Sequence, residues 1–126
     1  MRHKLQKTQL LEIDNDVSDY EFFDNKEVVI LRIKQGVSQI GKKAFANCSE
    51  LKEIFLPESL QTIAADAFEN SGMMLRIFNS EIQDYLFTNT LMVHCVENSY
   101  ADHWLKKKKF GFIKVYEQEK NNGTKD

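Results

Sequence analysis

Apolar positions return along the chain at a fixed interval. Ile40, Ala44, Phe45 and Cys48 are answered 23 residues later by Ile63, Ala67, Phe68 and Ser71. Carried backwards, the same offset reaches Val17, Phe22, Asp24 and Asn25. Val28, Leu51 and Met74 align, as do Leu31, Ile54 and Ile77, Ile33 with Leu56, and Val37 with Leu60. A unit this short cannot bury its own apolar face, whereas stacked units can, so a period of this length predicts a repeat array.

The alternation around Ile54 and Leu56 reads as a short strand, and Pro57 ends it because proline cannot donate to a ladder. Ile63 to Phe68 then turn back with helical or 3₁₀ spacing, with Ile63, Ala67 and Phe68 facing inward. The offset predicts parallel strands near residues 29–33, 52–56, 75–78, 92–96 and 112–115, with Ile54 and Ile77 on neighbouring strands. Phe45 and Phe68 should stack in successive turns, beside Ala44 and Ala67.

After the last repeat the period changes. Ser99 is placed to cap a helix, and Asp102 three residues on approximates a capping box. Tyr100, Ala101, Trp104 and Leu105 supply one apolar face, which should close the end of the stack. Lys106 to Lys109 sit where the helix dipole favours positive charge, a solvated helix end. Phe110-Gly111 stops the helix, and Phe112 to Val115 read as a final strand. The chain divides into a degenerate N-terminal turn at 1–16, repeats at 17–98, a cap at 99–116 and a polar tail at 117–126.

Composition narrows the function. Of 126 residues, 42% are hydrophobic and 11% aromatic, which excludes a disordered chain. The net charge of −2 argues against a general binder of nucleic acid or membrane surfaces. The longest aliphatic run, Val28 to Leu31, is far too short to span a bilayer. The basic start, Met1 to Lys7, leads into no apolar stretch, so no signal peptide is expected and the sequence alone places the chain in the cytoplasm. Two cysteines exclude a disulfide scaffold. Cys48 and Cys95 read as small buried hydrophobes, too far apart to bridge.

No catalytic group assembles from the sequence. His3 and His94 have no acidic neighbour at a useful spacing, and His103 and Asp102 are adjacent on a helix and do not face each other. His94-Cys95 lacks the further ligands a zinc ion needs. No metal, cofactor or enzymatic activity is expected. Asn47-Cys48-Ser49 and Asn122-Gly123-Thr124 match the glycosylation sequon, a weak signal alone. The sheet face is more informative. If Ile54 and Leu56 point inward, Phe55 points out, with Arg32 and Phe78 beside it and His94 continuing the row. Ile30, Glu53 and Arg76 would form a second row. Aromatic and arginine side chains laddered on an exposed sheet have the composition of a protein-contact surface.

The unit Leu51, Ile54, Leu56, Pro57, Leu60, Ile63, Ala67, Phe68 and Ser71, preceded by Val37, Ile40, Gly41, Ala44, Phe45 and Cys48, resembles the BspA-like (Treponema pallidum type) leucine-rich repeats. The match weakens after Ser71, where Asn79 and Ser80 replace an apolar residue and proline. The resemblance implies an α/β repeat solenoid of stacked parallel strands with a C-terminal capping helix and strand, as in bacterial surface or secreted proteins implicated in adhesion. The function expected is non-catalytic: Arg32, Glu53, Phe55, Arg76, Phe78 and His94 bind a protein partner, with no nucleic acid and no membrane insertion. The alternative is a structural element that forms a homodimer through the solenoid ends.

Overall fold

The computed structural model describes residues 9–72, 74–108 and 113–117. The basic start, Lys109, the Phe110-Gly111 stop, Phe112, the second sequon and the tail beyond Glu117 lie outside the described residues. Nine strands and one helix follow along the described chain: β1 (Leu10–Ile13), β2 (Ile30–Ile33), β3 (Gln39–Ile40), β4 (Glu53–Phe55), β5 (Thr62–Ile63), β6 (Met74–Asn79), β7 (Asp84–Asn89), β8 (Met92–Cys95), α1 (Tyr100–Lys106) and β9 (Ile113–Tyr116).

The main sheet stacks five parallel strands in the order β1-β2-β4-β8-β9. On the opposite side of the repeat, β3 and β5 form a short parallel ladder, extended by a bridge from Val17 to Ile40. Between the ladders run the loops that the Ala-Phe signature builds. Their N–H groups donate up the stack: Phe22 to Ala44 O, Phe45 to Ala67 O, Asn47 to Glu69 O. The repeat also fixes backbone conformation. Asp24, Asn47 and Asn70, spaced by the period, all take positive φ, a region Asn and Asp tolerate better than most residues.

The core is the inward side of this stack. Leu31, Ile54 and Val93 occupy one row of the sheet and are fully buried, as are Val37, Ile40, Ala44 and Ala67 behind them. Phe22, Phe45 and Phe68 form a column, with ring centroids 5.2 and 5.4 Å apart and planes within 7° of parallel. Trp104 completes the column edge-on, 6.1 Å from Phe68. Helix α1 therefore closes the stack, with Ala101, Trp104 and Leu105 buried. Tyr100 departs from the expected face: it is exposed, and its hydroxyl accepts the Ile63 N–H at 3.1 Å.

The cap differs from the expected box in one bond. Ser99 Oγ accepts the Asp102 N–H, but Asp102 returns the bond to Asn98 N rather than to Ser99 N. Asp102 is wholly buried and also accepts from Lys114 Nζ at 2.8 Å and Tyr116 OH at 3.2 Å, so it fastens β9 to the helix. Burial works against its charge, yet Lys114, Asn98 N–H and Tyr116 outweigh burial and hold the carboxyl at about 2. The lysine run is not uniformly solvated. Lys106 and Lys107 are exposed, but Lys108 lies 4.3 Å from the Trp104 ring centre and donates to Ala65 O. Cys48 and Cys95 are free and buried, and burial raises both thiols, Cys95 to about 11.

One predicted strand leaves the array. Residues 75–78 do form a strand, but it is antiparallel to β7 in a separate hairpin. Ile54 is therefore paired with Val93, and Ile77 is half exposed. The physical reason lies in the turn that follows. Where Pro57 stops β4, the corresponding stretch runs six residues to Asn79, whose side-chain oxygen accepts from Glu81 N and Ile82 N and reverses the chain. The hairpin is fastened at its root. Asn89 donates to Ser71 O and accepts from Leu91 N, joining exit to re-entry. Gly72 sits between them at φ +81°, where a Cβ would come 2.8 Å from the Asn89 side-chain oxygen.

Candidate functional site

Four of the six residues read from the sequence do meet on the outward face of the main sheet. Parallel register sets Arg32 beside Phe55 and Phe55 beside His94; Ile30, Glu53 and Met92 form the adjoining row. Each of these side chains is half-buried. The Arg32 guanidinium carbon lies 5.0 Å from the Phe55 ring centre. Phe55 and His94 stack with centroids 4.0 Å apart and planes 9° from parallel. Phe55 is thus held between a cation and an imidazole, not free on the surface.

Carboxylates close the row at both ends. Glu12 Oε2 accepts from Arg32 at 3.1 Å. At the other end, His94 Nε2 is 2.7 Å from Glu53 Oε2 and Nδ1 is 2.6 Å from Glu117 Oε2. The sequence reading that His94 lacks an acidic neighbour is corrected here. Glu53 lies far away in sequence, and the β4–β8 pairing brings it to the ring. A carboxylate oxygen thus stands at each ring nitrogen. The ring plane is then fixed by three neighbours at once.

Arg76 and Phe78 do not join this row. Both lie on β6, where the register pairs them with Phe87 and Tyr85. Arg76 stacks over the Tyr85 ring at 4.5 Å, and Phe78 meets the same ring edge-on at 5.3 Å. The expected surface running from Arg32 through Phe55 to Phe78 is therefore two separate surfaces. The cause is the hairpin: the residue beside Phe55 is His94, 39 positions on, because the hairpin takes up the intervening chain.

Glu12 and Glu117 were not singled out from the sequence. Glu12 precedes the recognisable period, since β1 and β2 pair with an offset of 20. Glu117, read as the start of the polar tail, donates its N–H to Cys95 O and continues the outward face of β9. A groove of about 480 Å³ opens beside the row, lined by Ser49, Glu50, Leu51, Lys52, Glu53, Thr90 and Met92. Among the described residues, no group of three or more His, Cys, Asp or Glu side chains is arranged to hold a metal ion. No helix among them is long and apolar enough to cross a membrane.

What the arrangement offers is contact: a partly exposed strip of cation and aromatic ring, with the His94 imidazole 12% exposed behind them, bounded by acids. No curated protein and no solved structure matches the chain. The model of the BspA type leucine rich repeat region matches residues 3–94 in six copies. That span covers the stacked turns, the Phe column and the strands that carry Arg32, Phe55 and His94, and the chain belongs to this family.

Proposed function

We propose that the chain is a non-catalytic protein-binding module whose partner seats on the outward face of the main sheet, over Arg32, Glu53, Phe55 and His94. The observation that carries this reading is the stacked Arg32–Phe55–His94 row. Arginine and aromatic side chains dominate the energy of protein contacts, and side chains already held in place lose little freedom on binding. Leucine-rich repeats commonly serve in such contacts, and an array presents an extended surface better suited to a macromolecule than to a small one. Arg76 and Phe78, on the hairpin, belong to a second contact surface.

Affinity capture from the source organism's lysate tests the reading. The wild type is compared with an Arg32→Ala, His94→Ala double variant and with Lys42→Ala, which lies in a turn away from the sheet. Partners retained by wild type and Lys42→Ala but lost by the double variant support the sheet face, provided its thermal melt is unchanged. Retention of every partner by the double variant would sink it.

A second reading is pairing between solenoid ends, favoured by one observation. The outermost strands β1 and β9 leave Leu10, Ile113 and Tyr116 exposed. Loss of self-association on Ile113→Lys, followed by light scattering, is its expected signature.

A further inference from the structure

Among the described residues, the β6–β7 hairpin pairs with no other strand. A ribbon of two strands is marginal in water; a third strand or a packed face is needed for stability of its own. This ribbon is apolar on both faces. Ile77 and Leu86, opposite each other, are 50% and 47% exposed on one face. Phe78 and Tyr85, also opposite each other, are 51% and 45% exposed on the other. Ile82, in the turn, is 57% exposed.

Its two edges differ. Native sheets guard a free edge with charge, proline or a bulge. β6 carries Arg76 in mid-strand, whereas β7 carries no charge after Asp84 and continues Tyr85-Leu86-Phe87-Thr88. We infer that β7 pairs antiparallel with β7 of a second copy, about a two-fold axis at Leu86, so that two hairpins form one four-stranded sheet.

The strand is its own complement in that register. Leu86 faces Leu86, and the existing Ile77–Leu86 pair extends into an unbroken apolar row of four. Asp84 falls opposite Thr88, so no carboxylate meets another across the axis, and like charges set opposite each other destabilise a sheet. Pairing through β6 would instead make a strand with a charge in its middle, Arg76, the joined edge. Symmetric contact of one patch with itself is the commonest way soluble chains associate. The area sets the strength. Edge pairing buries only the flanks of the joined strands and leaves both faces of each ribbon open, well short of the roughly 1,200–2,000 Å² of stable interfaces. The dimer is weak and forms as concentration rises.

Sedimentation of the full chain from micromolar to hundreds of micromolar tests this. The wild type shifts from monomer to dimer across that range, and Leu86→Lys raises the apparent Kd at least tenfold with an unchanged thermal melt. Leu86→Cys cross-links to itself under mild oxidation, and Asp84→Cys does not. A wild type that stays monomeric throughout overturns the inference, as does a dimer that survives Leu86→Lys or dissociates only with Ile113→Lys. If Leu86→Lys unfolds, the cysteine variant decides, and failure of Leu86→Cys to cross-link is fatal.

Discussion

Phe45 is wholly buried between two parallel rings, and Ala44 and Ala67 are small where their neighbours crowd. Truncating it leaves a cavity that the stack cannot collapse into. Phe45→Ala is expected to cost about 3–5 kcal/mol in urea denaturation, and Phe22→Ala, at the half-buried end of the column, clearly less. The pair Phe45 and Phe68 was legible from spacing alone, because stacked turns place residues one period apart in contact. The environment of His94 was not. Glu53 reaches it only because an antiparallel excursion removes the chain between Leu91 and Ser71 from the count. Asp102 makes a separate prediction. Its folded-state pKa of about 2 lies below the ordinary carboxylate value of about 3.9. Its stabilisation is therefore complete above about pH 4 and fades as pH falls towards about 2. Asp102→Asn should lower stability at neutral pH by about 1.5–3 kcal/mol and flatten that acid limb, read as urea midpoints against pH.

At the scale of elements, the turn at Asn79 sets one repeat apart from its neighbours. Pro57 ends β4 after three residues, while Asn79 turns the chain back and yields a hairpin. The sequence marked this as a weakening of the repeat after Ser71, but local pattern could not say that the strand would change partners. Strand pairing depends on which edge is open, and that is settled by the whole stack. Gly72 is the pivot. Gly72→Ala meets both a positive φ and the Asn89 side chain, so it should destabilise by more than about 1 kcal/mol in the same assay. The cap, by contrast, was readable, since Ser99, Trp104 and Leu105 follow helical rules that need no distant partner. Deleting residues 99–126 uncovers Phe68 and Val93, and light scattering should then show aggregation.

In the molecule as a whole, stability passes from each turn to the next, because contacts run mainly between neighbours in the stack. The sheet continues from β4 to β8 in perfect register across the hairpin, with Glu53, Ile54 and Phe55 beside Met92, Val93 and His94. The fold class was accordingly legible even though one strand was misplaced. The sequence reading put 75–78 into the sheet and gave no strand at Leu10–Ile13, yet the order of the other strands stands.

The Asn89 fastening at the hairpin root has a consequence for design and for divergence. Because the exit and the return are bonded to each other, through Ser71, Asn89 and Leu91, what lies between them is an interchangeable cassette on a fixed chassis. Replacing residues 74–88 with an unrelated hairpin of matching span, while keeping Gly72 and Asn89, should leave the circular dichroism of the array intact and shift its stability by no more than about 1 kcal/mol. Related chains could thus exchange what they display at this position while the solenoid beneath it goes unaltered.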